Sequence, residues 1–336
     1  MLALALLAAG LWSGCGIGYL THVIAGQLRI LRDRQLLRPE LVATLTPEEQ
    51  RGLEAIRRAR THAEALGLEP STSYRHLIPS DDSHTVHVVV ASPPDRLEAV
   101  TWWFPIVGRV AYRGYFDSER ARTFAQGLRR EGYDTYLRPA TLYSTLGYFD
   151  DPIPRELLQR PDIELTDVII HELVHGTIFI RNDVAYNEAL ASFIAEQAAL
   201  DLVAGAPAEL DAAQRMYDDI RTYTDLIERL ARDLELLYSV SSSREHALEG
   251  RAALFARYQN EVYPSLPWRS DRFEGFRTLQ LSNAFVVAQR TYSGDLPCFR
   301  AELDALHGDL RAFIRAHRER PVRHLEIAAC APPPAP

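Results

Sequence analysis

Residues 168–193 read VIIHELVHGTIFIRNDVAYNEALASF, and no other stretch constrains the chain as much. His171 and His175 stand four residues apart, so both imidazoles leave one face of a helix. Ile169, Ile170, Leu173 and Val174 surround them, which places that helix in the core. Burial penalises two imidazoles and a carboxylate unless something compensates. Two neutral imidazoles at this spacing grip one Zn²⁺. Glu172 then points to the side, where its carboxylate takes a proton from water acidified by the metal. The alternative is a hydrogen-bonded histidine pair on a structural helix.

A zinc site needs a third protein ligand. The helix is expected to run to Phe179 or Ile180, with a turn at Arg181, Asn182 and Asp183 and a second helix from Ala185. At 1.5 Å per residue, His175 lies roughly 7 Å before the turn and Glu188 roughly 5 Å after it. In an antiparallel pair the two come level, so Glu188 is the expected third ligand. Glu196, two turns further on, sits too far along. A carboxylate near a helix N-terminus is also favoured by the dipole alone.

Composition bounds the rest. The chain has 336 residues, 47% of them hydrophobic and 24% charged, enough for a sizeable core. The formal net charge of −8 argues against a nucleic-acid partner. There is no lysine, so arginine carries all the positive side-chain charge. Cys15, Cys298 and Cys330 show no CxxC spacing. A Cys298–Cys330 disulfide and two free thiols are equally open.

The N-terminus reads MLALALLAAGLWSGC: apolar, ending in small residues and reaching a cysteine at position 15. It is too short to span a bilayer and suits a signal segment. Small residues before a cysteine are similar to a bacterial lipobox, which makes Cys15 the lipidation site. No positive residue precedes the run, and Trp12 stands where a lipobox has Leu. An uncleaved hydrophobic anchor is the other reading. Either way the expected location is the bacterial cell envelope, on the periplasmic or extracytoplasmic face, with the membrane as a partner.

Along the chain, Leu20, Val23, Ile24, Gln27, Leu28 and Leu31 repeat at helical spacing. Thr46, Pro47 and Glu49 form a capping-box start for a helix ending at Gly67. Strand composition marks 84–92, 101–116 and 133–149, with a helix over 117–132. Helices are expected at 207–238, 243–263, 272–292 and 298–317. The domain reading is a signal segment at 1–15, one unit at 16–327 and a disordered tail at 328–336. The fold class is α+β, with a small sheet before the HELVH helix and a mostly helical C-terminal half.

HELVH with NEALAS resembles the thermolysin-type zincins, whose third ligand is the Glu of a similar Asn-Glu-Ala stretch. Ser192 stands where those enzymes carry an aspartate behind the ligands. Nearly the whole chain resembles the bacterial putative aminopeptidase family. GCGIGYLTHVIAGQLRIL, FPIVGRVAYRGYF, LYSTLGYFDDP, HELVH with NEALASF, and LSNAFVVAQRTY carry that resemblance. It implies a zincin-like fold and a zinc peptidase acting on peptides, often as a lipoprotein. An endopeptidase on the same scaffold and a non-catalytic zincin-fold lipoprotein are the rivals.

The resemblance also implies an edge strand that binds substrate backbone just upstream of the ligand helix. LYSTLGYF (142–149) stands there, making Ser144, Thr145 and Gly147 substrate-binding candidates. Asp150 and Asp151 follow as candidates to hold a substrate α-ammonium. Tyr112, Tyr143, Tyr186 and Tyr292 are candidate oxyanion donors, with Tyr292 preferred because it follows on a later helix. Arg113 suits a substrate carboxylate or a pinned turn.

Overall fold

The structure is a computed structural model that describes residues 14–69, 72–79, 84–104, 108–140, 150–180, 183–290 and 296–319. It is mixed α+β, mostly helical with small sheets. Helix α1 (Gly14–Asp33) opens it, followed by β1 (Gln35–Leu36), the short α2 (Pro39–Val42) and α3 (Pro47–Ala65). Among the described residues no helix is long and apolar enough to cross a membrane. Residues 1–13 and the tail 320–336 lie outside the description.

The central sheet forms around β3 (His87–Ser92). It pairs antiparallel with β6 (Arg113–Tyr115) on one side and β7 (Asp134–Pro139) on the other. Alternation divides its run of β-branched residues between two faces. Val88 and Val90 pack with Ile30 of α1 and with Phe116. Val89 and Ala91 pack with Ala121, Ala125 and Leu128 of α4 (Ser118–Arg130). Asp117 caps α4 by accepting from the Arg120 amide at 2.8 Å, and Gly132 ends it with φ 90°. The 101–116 run is not one strand. It forms the antiparallel pair β4 (Trp102–Phe104) and β5 (Gly108–Val110), and then β6.

A second sheet joins β1, β2 (His76–Ile78) and β8 (Ile153–Pro154), with β2 and β8 parallel. A 3-10 turn (Arg155–Gln159) then leads into α5 (Asp162–Thr177), which carries HELVH. Helix α5 packs against α3 and against α6 (Val184–Val203). Leu165, Ile169, Ile170, Leu173 and Val174 bury its apolar face in the largest core cluster. At the approach to α3, a Cβ on Gly52 would lie 2.0 Å from the Leu158 carbonyl oxygen. Only glycine fits there.

The expected antiparallel helical pair is α7 (Pro207–Val240) and α8 (Arg244–Arg257), extended by a π turn and a 3-10 turn to Ser265. Two expectations for the C-terminal half are corrected. The helix at 272–292 is a 3-10 turn (Glu274–Arg277) and a separate α9 (Asn283–Arg290). Ser282 Oγ accepts from the Phe285 amide, and the buried Asn283 side chain donates to the carbonyls of Pro93 and Arg96, which fixes a fresh start there. The helix at 298–317 is α10 (Leu296–Ala305) and α11 (Leu310–Glu319). His307 (φ 56°) and Gly308 (φ 77°) are left-handed, and Asp309 caps the new helix by accepting from Ala312. Cys298 is disulfide-bonded; Cys330, one of its two possible partners in the sequence, lies outside the described residues.

Candidate metal centre

Helices α5 and α6 meet through a short turn. Asn187 fastens it, accepting from the Ile180 amide at 2.8 Å and donating to the Ile180 carbonyl at 2.7 Å. Asp183 caps α6 by accepting from the Tyr186 amide. This antiparallel return brings Glu188 level with the histidines. His171 Nε2 lies 3.3 Å from one Glu188 oxygen and His175 Nε2 lies 3.5 Å from the other. The two Nε2 atoms are 3.1 Å apart, with the rings edge-on at 84°. His171, His175 and Glu188 are the one group among the described residues whose donor atoms converge closely enough to hold a metal ion.

The electrostatics agree with the geometry. Burial alone would raise the Glu188 carboxyl, but the two imidazoles hold it down to about 2, so it stays ionised. Burial would lower the His171 imidazole, yet hydrogen bonding to Glu188 and the charges of Glu172, Glu188 and Asp167 raise it. With Nε2 turned to Glu188, His171 Nδ1 faces Ser192 Oγ at 3.5 Å. His175 Nδ1 is buried without a hydrogen-bond partner among the described residues.

Two features were not anticipated from sequence. Asp167 lies one helical turn before His171 on α5 and acts electrostatically on it. Burial pushes the Asp167 carboxyl up, and it accepts the Tyr217 hydroxyl of α7 at 2.8 Å. The second is Tyr74, buried and within electrostatic reach of Glu172 and Asp151. Burial raises its phenol well above the ordinary value, so it keeps its proton. Its backbone is left-handed (φ 63°), held by an amide donated to the Asp151 carbonyl at 2.6 Å and by Ser73 Oγ accepting from the Asp151 amide. The four-residue spacing from His171 could have flagged Asp167. Nothing local flags Tyr74.

None of the other expected residues that the structure describes joins the His–Glu cluster. Ser144, Thr145, Gly147, Tyr143 and Tyr292 lie outside the described residues. Asp150 accepts from Arg34 through its carbonyl at 2.8 Å and from Thr72 through its carboxylate, and no described contact joins it to the His–Glu cluster. Tyr186 turns away to His317 Nδ1 at 2.7 Å, and Tyr112 is exposed. Glu196 pairs with Arg221, as its position two turns along requires. Arg113 stacks 3.8 Å over the Tyr19 ring, so it pins α1 to β6.

The N, N, O donor set suits a borderline-soft divalent ion, zinc above all. No curated protein matches the chain, and no solved structure does. Residues 18–323 match the family model described as Putative aminopeptidase, and with nearly the whole chain covered, the protein belongs to that family.

Proposed function

We propose that the protein is a zinc-dependent aminopeptidase on a zincin-like scaffold. One observation carries the reading: the donor atoms of His171, His175 and Glu188 stand 3.1, 3.3 and 3.5 Å apart. A tetrahedral centre with bonds of about 2.0–2.1 Å has donor–donor edges of about 3.3 Å. Zinc, when bound, polarises a scissile carbonyl and lowers the pKa of the attacking water. Glu172, on the same helix, accepts that water's proton at its carboxylate and later delivers it to the leaving amine. Tyr74, buried and neutral, lies within electrostatic reach of Glu172. We assign Tyr292 to the oxyanion and Ser144, Thr145 and Gly147 to the substrate backbone. Cys15 carries a lipid that holds the enzyme at the cell envelope.

The test compares wild type with Glu172→Gln. Glutamine keeps the shape but accepts no proton, so the variant should bind about one zinc per chain and lose about 10²–10⁴-fold in hydrolysis. Peptides with free and with acetylated N-termini complete the assay. Cleavage confined to free N-termini supports the aminopeptidase, and equal cleavage of both makes it an endopeptidase. Wild-type activity in the Gln variant removes Glu172 from the mechanism.

A further inference from the structure

Helix α1 has two apolar faces, and only one is used inside the protein. The inner face is fixed. The Tyr19 hydroxyl donates to the Gly114 carbonyl at 3.0 Å, and His22 Nε2 accepts from the Phe116 amide at 3.0 Å. Gly26 lets the Phe116 ring close in, since a Cβ there would stand 2.1 Å from it. Val23 and Ile30 complete the contact. With that face docked, Ile24 and Leu28, one turn apart, must point outward, and they are 57% and 61% exposed. The helical periodicity 20–31 therefore serves two surfaces, and the core explains only one of them.

The β4–β5 pair stands beside the start of α1, where the Phe104 and Tyr19 rings lie 5.8 Å apart. Its outward residue is Trp103, 64% exposed and directly across from the exposed Arg109. Trp102, next to it, turns inward onto Phe124 of α4 at 5.9 Å. Tryptophan with arginine on an exposed surface is the composition of a water–lipid boundary, where the ring body is apolar and its N–H stays wet. The exposed Arg109 beside Trp103 suits anionic headgroups.

We propose that the outer face of α1 and the Trp103 face of β4–β5 rest on an anionic lipid bilayer. The sequence says what covers this surface. An apolar anchor joins the protein at the start of α1, either as residues 1–13, which carry no charged side chain, or as the lipid proposed at Cys15. Helix α1 is itself too short of apolar length to cross. A helix with an apolar outer stripe, anchored at its start, lies along the interface. The contact does not depend on lipid at Cys15 or on the peptidase reading, and its test reads neither.

Full-length protein carrying Trp12→Phe is reconstituted into phosphatidylethanolamine–phosphatidylglycerol vesicles containing lipids brominated near the headgroup. Bromolipid should quench at least half of the emission that Trp103→Phe removes, and acrylamide should quench it poorly. A second variant, Leu28→Trp with Trp12→Phe and Trp103→Phe, moves the reporter to α1 at an exposed position and should behave alike. Acrylamide quenching without bromolipid quenching leaves this surface in water and overturns the proposal. Protection from both quenchers overturns it too, because residues 1–13 or a second copy of the chain then cover the face.

Discussion

A ligating imidazole works best when its other nitrogen is held. His171 has Ser192 Oγ at 3.5 Å, a long contact, and the charge of Asp167 one turn behind it. Asp167 is itself fixed by the Tyr217 hydroxyl at 2.8 Å. This carboxylate acts electrostatically on His171, while Ser192 stands where the thermolysin-like pattern has an aspartate. Asp167→Asn should therefore weaken zinc binding about 10–100-fold, with Tyr217→Phe acting in the same direction and less strongly. Competition with a chromophoric chelator measures both, and wild-type affinity in Asp167→Asn would separate Asp167 from the site. Residues that act through helix periodicity were legible. His171, His175 and Glu172 share one turn, and Glu188 follows from the rise per residue. Tyr74 was not, because it reaches Glu172 only through the fold of a distant turn.

At the scale of elements, α3 positions the ligand helix, and its start was readable letter by letter. Thr46 accepts from the Glu49 amide, and Glu49 accepts from the Thr46 amide at 2.8 Å. The Arg155 fork from the 3-10 turn adds bonds of 2.6 and 3.0 Å to the same carboxylate. Arg155, against the opposing effect of burial and with help from the Thr46 amide, lowers the Glu49 carboxyl to about 2. A depressed folded value means the stabilisation is complete above pH about 4.5 and is lost as the pH falls towards 2. Glu49→Gln should cost about 1–2 kcal/mol at pH 7, and the gap from wild type should close between those limits. Urea titrations at pH 7 and pH 3 read this; an equal gap at both would detach Glu49 from the acid response. Gly52→Ala tests the same contact sterically. The obstruction is backbone, so it cannot swing aside, and the loss should be about 1–3 kcal/mol. The sequence pattern shows caps well and helix breaks poorly. At 298–317 the apolar periodicity runs on through His307 and Gly308, and only the left-handed pair and the Asp309 cap reveal two helices.

For the whole molecule, the ligand helices lie inside the largest core cluster, which ties α3, α5, α6, α10 and α11 together. His171 and His175 come from one of these helices and Glu188 from its neighbour, so an ion held there would brace the α5–α6 pair. An ion that binds only the folded chain stabilises it by about 4 kcal/mol at a free concentration a thousandfold above Kd. Unfolding a chain of 336 residues carries an entropy of about 0.7 kcal/mol per kelvin. The two figures together give a Tm shift of about 6 °C. Stripping the wild type with dipicolinate should lower Tm by that amount, and adding zinc back should restore it. His175→Ala should start near the lower temperature and respond to neither treatment, because two protein ligands retain zinc weakly. The variant separates chelation at this site from any general effect of the chelator. A wild-type Tm that ignores both chelator and zinc, measured by calorimetry on the full chain, would leave His171, His175 and Glu188 as a buried ion-paired cluster, and the peptidase reading would lose its metal.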